Sequence, residues 1–298
     1  MKVEPNQGGL FLPAAGMVLG AAGLLVGSLT GGLWGGVLGL ALGAFSALPL
    51  ARVMRRRSSR RRALLAQPFP EAWRRFLRES YDHFERLPTD WRRRFEDDLR
   101  IFLTEKRITG VEVELSDELR LLVAASAVTL SLGWPDYEWD QLTEVLLYPQ
   151  DFDRDWSFED SDLAGQAHPW GTVILSAPSL QESFEDPDDA YHVGLHEFAH
   201  LLDVEQTHFD GIPRGLSGAP AEEWVHLVDK EMERLRKGKS VLDPYGAEDP
   251  VEFLAVAVEA FFEAPLALRQ RHRELYAVLR GYFGQDPAAW DDARGLRL

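Results

Sequence analysis

Cysteine is absent from all 298 residues. That excludes disulfide cross-links, a thiol nucleophile, iron–sulfur ligation and every thiolate-based zinc site. A metal bound by this chain has only imidazole and carboxylate groups to hold it, and imidazole is scarce, with eight histidines. Charge is missing locally as well: no Asp, Glu, Lys or Arg lies between Glu4 and Arg52.

The charged residues that do occur are unevenly placed. Lys2 and seven arginines (Arg52, Arg55, Arg56, Arg57, Arg60, Arg61, Arg62) against Glu4 give residues 1–62 a charge of +7, so residues 63–298 carry −23 of the −16 total. An acidic body repels phosphate backbones and argues against nucleic acid as a partner. The uncharged run exceeds the roughly 20 apolar residues that cross a bilayer core. It divides at the Gly27–Gly32 turn into spans 10–26 and 33–50, with small residues four apart, as at Gly16/Gly20 and Gly35/Gly39/Gly43. Residues 1–50 are therefore expected to form a membrane anchor of two transmembrane helices, and it is too long for a signal peptide. Residues 51–67 are expected to be an arginine-rich linker against anionic lipid headgroups. By the positive-inside tendency, that linker places the remainder on the cytoplasmic side of the inner membrane.

From Pro68 to Leu298 amphipathic patterns alternate with turn signals. Glu71–Arg86 and Thr89–Lys106 read as surface helices, and Ser116 caps a more apolar helix through Leu132. Short β-prone runs at Val111–Glu114, Glu144–Tyr148 and Thr172–Ser176 add a small sheet, so the expected class is α+β and mainly helical.

Asp186-Pro187 reads as a cap and first-turn proline opening a helix through Asp203. On it lies His196-Glu197-Phe198-Ala199-His200, an HExxH pattern. A spacing of four sets both imidazoles on one helical face, from which both reach one zinc ion. Glu197 is turned about 100° away and is placed to act as a general base on water. Chance alone yields HExxH in roughly 2% of chains of this length, so context matters. The β-prone Gly171–Ser176 just before the helix is expected to be an edge strand aligning an extended substrate. A third ligand is required to leave one position for water. Gln206 stands where a third histidine would be, so a glutamate must serve, and spacing leaves Glu222, Glu223, Glu252 and Glu259 open. Asp203 shares the histidine face and either orients a ligand imidazole or helps end the helix. His192 reads as an ordinary helical histidine.

Several motifs in order make the chain similar to the Mlc titration factor A family of zinc-dependent peptidases. They are Pro68-Phe69-Pro70-Glu71-Ala72-Trp73, Phe102-Leu103-Thr104-Glu105-Lys106-Arg107, the HExxH run continued by Leu201-Leu202-Asp203, and Asp249-Pro250-Val251-Glu252-Phe253-Leu254-Ala255-Val256 with Phe261-Phe262-Glu263-Ala264-Pro265. That family in turn resembles the catalytic domain of anthrax lethal factor. The resemblance implies a zincin-like fold over 68–298, with His196, His200 and Glu252 as Zn2+ ligands, Glu197 as base and Tyr245 as a transition-state donor. Glu259, two turns beyond Glu252, is left as a candidate support. The implied partners are a peptide or protein substrate and, as in some members, a regulatory protein such as a transcriptional repressor. Well-known members lack the hydrophobic N-terminus, which is where this sequence departs from the family.

Overall fold

A computed structural model describes residues 56–135, 137–153, 163–187, 189–203 and 208–295, together with the isolated positions 25, 26, 29, 34 and 37. The chain divides at residue 68 into two compact units, the second of which carries Phe69–Leu298. In the first unit, residues 56–65 are helical.

The membrane location expected from the sequence is corrected here. Among the described residues no helix is long and apolar enough to cross a membrane. Two largely apolar helices, Asp117–Ser131 and Pro250–Glu263, are 15 and 14 residues long. At 1.5 Å per residue they reach only about 22 Å, short of a hydrocarbon core of about 30 Å. Both are also buried among other protein elements. The two predicted spans lie outside the described residues apart from the five isolated positions. The inner-membrane placement and the lipid contacts built on those spans have no footing in the described fold.

The unit that follows is α+β, with helices outnumbering strands. Four strands, β1 (Arg107–Gly110), β2 (Glu144–Tyr148), β3 (Gly165–Ala167) and β4 (Thr172–Ser176), lie in the order β1-β2-β4-β3. β1 and β4 flank β2 in parallel, and β3 turns back antiparallel to β4. Two expectations change. Val111–Glu114 is not a strand, because Glu112 sits at φ 60° and bends the chain just after β1. β4, expected at an edge, is covered by β2 on one side and β3 on the other. The end of the sheet is β3, whose three residues are too few to give a periodic signal.

Asp117–Ser131 is the central helix. Ser116 caps it by accepting the Leu119 N–H, and apolar or small residues all round the helix bury it on every side. Thr89–Glu105, Ala177–Glu185 and the histidine helix Val193–Leu201 pack around it. The expected Glu71–Arg86 helix is two, Glu71–Ser80 and Asp82–Arg86, broken at an extended Tyr81. The Tyr81 hydroxyl hydrogen-bonds Thr129 of the central helix at 2.6 Å. The histidine helix also touches β3, β4 and the helix Pro250–Glu263, so it is held from several directions.

Close approach of the histidine helix to the central helix depends on Gly194. A Cβ there would lie 2.2 Å from Ser126 Oγ and 2.8 Å from Ser126 Cβ. Alanine in a helix is ordinarily favoured over glycine by about 1 kcal/mol, but the Ser126 Cβ cannot rotate away. Gly194→Ala is expected to lower unfolding free energy by about 1–3 kcal/mol through overpacking, as read by urea denaturation. A gain in stability would show that the two helices separate at little cost.

Candidate metal centre

The helix carrying the paired histidines starts later than its sequence suggests. Asp186 closes the preceding helix Ala177–Glu185, its N–H bonded to the Glu182 carbonyl. Its extended backbone suits a residue that precedes proline. The chain then turns through Ala190 at φ 64°, and Tyr191 N–H donates to Asp189 Oδ1 at 2.8 Å. Val193 is the first helical residue, and His192 is the cap: its Nδ1 accepts the Leu195 N–H at 3.2 Å. His192 is fully buried, and burial pushes its imidazole down to about 3, so it caps as a neutral acceptor.

From this helix His196 and His200 project one turn apart, with ring centroids 4.9 Å from each other. The helix Pro250–Glu263 brings the third group. Asp249 caps it by accepting the Val251 and Glu252 N–H groups, Pro250 supplies the first turn, and Glu252 follows directly. Glu252 Oε2 lies 3.0 Å from His196 Nε2 and 3.7 Å from His200 Nε2. One ligand atom from each of His196, His200 and Glu252 lies within 4.8 Å of the others, a grouping that could hold a metal ion. Glu222 and Glu223 are exposed on the helix Ala219–Arg236 and are outside this group.

Glu259 lies on the far side of His196. Its Oε2 is 3.1 Å from His196 Nδ1, and its Oε1 accepts the His192 N–H at 2.7 Å. One buried carboxylate therefore joins the two helices and turns the His196 ring so that Nε2 faces Glu252. Burial opposes charge at His196, but the Glu259 and Glu252 carboxylates hold its imidazole well above the usual range. His200 has only the more distant Glu252 carboxylate to raise it, and burial first, then the His196 charge, pushes it down to about 3. For Glu252, burial raises the carboxyl, yet the His196 hydrogen bond and the two imidazoles bring it below its ordinary value. Two imidazole nitrogens and one ionised oxygen form a borderline donor set that suits zinc among divalent cations.

Glu197 points to the sheet rather than to the histidine pair. A Cβ at Gly165 of β3 would lie 2.6 Å from Glu197 Cγ and 2.7 Å from its Oε1, so the strand passes Glu197 only because residue 165 is glycine. Burial foremost, and the nearby Glu252 and Glu259 carboxylates, push Glu197 up to about 8, against the lowering effects of His196 and the Ala167 backbone N–H. A dication beside it would favour the ionised form. Tyr245 sits on the 3₁₀ turn Pro244–Ala247, whose cap Asp243 accepts the Tyr245 N–H at 2.7 Å. Its ring centroid is 6.0 Å from that of His196. Burial, followed by the Glu252, Glu248 and Glu197 charges, pushes its phenol up to about 12, so it stays a hydrogen-bond donor at neutral pH. A cavity of about 380 Å³ opens here, lined among others by Gly165, Tyr191, His196, Glu197, Tyr245 and Glu248.

The Asp203 N–H donates to the His200 carbonyl where the helix ends, but its carboxylate orients no imidazole: it accepts the N–H groups of Asp210 and Gly211, and His200 Nδ1 is buried without a hydrogen-bond partner among the described residues. Sequence reasoning also missed β3 and Tyr191 as walls of the cavity. Nothing in the local pattern marks either one.

The grouping makes a selective forecast about metal uptake. His196→Ala and Glu252→Ala should each lower the divalent metal content of purified protein to a small fraction of the wild-type level, measured by atomic emission after dialysis. Glu222→Ala and Glu223→Ala should leave it unchanged. Metal lost with either of the latter pair would move the third ligand to the wrong helix.

The chain is similar in sequence to several known proteins. The chain is 30% identical over 244 residues to the uncharacterized protein slr2042 of Synechocystis sp., covering 76% of this chain and 89% of that one. It is 30% identical over 204 residues to Mlc titration factor A of Edwardsiella ictaluri, covering 62% of this chain and 74% of that protein. It is 32% identical over 213 residues to Mlc titration factor A of Cronobacter sakazakii, covering 62% and 76%. Residues 55–284 match the family described as glucose-regulated metallo-peptidase M90, and the chain belongs to that family.

Proposed function

We propose that residues 68–298 form a zincin-like, zinc-dependent peptidase in which His196, His200 and Glu252 hold the metal, Glu197 is the general base and Tyr245 the transition-state donor. The observation that carries this reading is the convergence of His196 Nε2, His200 Nε2 and Glu252 Oε2, with Glu197 next to His196, packed against β3 and part of the cavity lining. Zinc, when bound, supplies Lewis acidity that makes water a usable nucleophile near neutral pH.

The side chains account for the remaining requirements. Glu197 accepts a proton from water as the water attacks the peptide carbonyl, and returns it to the departing amine nitrogen. Tyr245, protonated across the neutral range, donates its O–H to the oxygen that gains charge. Glu259 keeps the His196 ring from rotating, so the ligand nitrogen is already aimed before metal arrives. β3 borders the cavity at Gly165, and as the terminal strand of the sheet it offers a line along which an extended peptide can lie.

Glu197→Gln is expected to retain bound zinc while lowering kcat on a peptide substrate by about 10²–10⁴. Undiminished turnover in that variant would remove Glu197 as the base. Tyr245→Phe, which deletes only the hydroxyl, is expected to lower kcat by about 100-fold with zinc content unchanged. A Tyr245→Phe enzyme with wild-type kcat would reduce Tyr245 to a wall of the cavity.

A second reading, supported by the printed name Mlc titration factor A of several relatives, is that the metal-bearing unit sequesters a regulatory protein and that hydrolysis is incidental to this. The Glu197→Gln variant separates the two. Loss of cellular function along with cleavage supports the peptidase, and full function without cleavage supports the binding module.

A further inference from the structure

Glu252 comes from a helix more than fifty positions along the chain from His200, and the joint between those two segments lies outside the groups that do chemistry. Asp203, three residues after His200, is 1% exposed. Its Oδ1 accepts the Asp210 N–H at 3.0 Å and the Gly211 N–H at 2.9 Å, and its Oδ2 accepts the Gly211 N–H at 2.9 Å. Its own N–H donates to the His200 carbonyl at 3.1 Å, which couples it to the end of the histidine helix. On the other face of the same residue, the Gly211 carbonyl accepts Trp224 Nε1–H at 2.7 Å.

Gly211 in turn bears on the helix that carries Glu252. It has φ 77°, and a Cβ there would stand 2.6 Å from the Pro250 carbonyl oxygen and 2.7 Å from Pro250 Cβ. Pro250 is the first residue of that helix, two before Glu252. A continuous path of packed and hydrogen-bonded groups thus runs from His200 through Asp203 and Gly211 to Pro250 and Glu252.

We propose that Asp203 is a positioning residue of the metal site: its carboxylate clamps Gly211 against Pro250 and so fixes the separation of His200 from Glu252. The inference rests on the metal-site reading above. Metal–ligand distances tolerate errors of only about 0.2 Å. The Glu259 tie holds the helix pair together at His196, two turns deeper. The Gly211–Pro250 contact is a second fixed point, placed at the helix end that bears Glu252. Removing the Asp203 carboxylate leaves two backbone N–H groups without their acceptor in a buried setting, and the loop must shift to find water.

The test uses the full chain and two metal readouts, zinc affinity by chelator competition and the visible spectrum of the Co(II)-loaded protein, which reports ligand geometry independently of turnover. Asp203→Ala is expected to bind zinc about 10–100-fold more weakly and to alter the Co(II) bands. Asp203→Asn keeps one acceptor oxygen and is expected to recover most of both. Gly211→Ala, which pushes on Pro250 from across the joint, is expected to reproduce the Asp203→Ala loss. Asp203→Ala protein with lowered thermal stability but wild-type zinc affinity and Co(II) spectrum overturns the proposal, since the clamp would then serve only the loop. If Asp203→Ala does not fold, wild-type affinity and spectrum in Gly211→Ala overturn it equally. Wild-type protein that takes up neither metal defeats the metal-site reading itself, and the inference with it, before any substitution is compared.

Discussion

The buried Glu259 carboxylate, bonded at once to His196 Nδ1 and to the His192 backbone N–H, is the contact on which the arrangement of the site turns. A lone carboxylate in the interior is costly, and it is retained only where hydrogen bonds and an opposite charge replace its water. Here the replacement comes from a second helix, so desolvation and helix docking satisfy one another. The same contact removes the rotational freedom of His196 and leaves a single nitrogen for the cleft. Removing either partner would strand the other in a dry environment, a larger penalty than the net value of the pair.

That constraint works because the histidine helix is fixed on its other faces too. Gly194 lets it lie against the central helix, and Gly165 lets β3 pass Glu197 within van der Waals range. Small residues sit where backbones must come close, and large buried side chains such as Phe198, Phe253 and Phe261 fill the spaces between. Each chemically active group is thereby aimed by packing rather than by its own rotamer preference. Glu197 and the paired histidines share one helix yet face different neighbours, the imidazoles toward Glu252 of Pro250–Glu263 and Glu197 toward the sheet.

Periodicity and capping carried much of this into view beforehand. The HExxH spacing alone puts two imidazoles together, and Asp249-Pro250 marks a helix start that the fold keeps. Asp186-Pro187 carries the same local signal and misleads, because the preceding helix claims Asp186 as its end and an Asx turn at Asp189 intervenes. No spacing rule separates Glu252 from Glu222, Glu223 or Glu259, since the choice depends on which helix docks beside the histidines. Asp203 has the right helical phase to support an imidazole but lies past Leu201, where the chain has left the helix, and its carboxylate goes to the nearest unpaired N–H groups. β3 was invisible because three residues define no alternation. The long uncharged run dominated the reading of the N-terminus by composition alone, while the described helices are too short or too charged to cross a bilayer.

The electrostatics of the cleft then follow from a competition between burial and charge. Glu197, Glu252 and Glu259 stand around His196, and without a cation their mutual repulsion and desolvation divide them. Glu197 is pushed up to about 8, while Glu252 stays below its ordinary value beside the imidazoles. Three carboxylates stand against two imidazoles, and burial keeps His200 neutral, so the site holds more negative charge than its own histidines can balance. A divalent ion at this group would relieve the excess and favour the ionised form of Glu197, so metal and fold would stabilise one another. The carboxylates whose mutual repulsion burdens the fold are therefore the groups that would draw a dication to it.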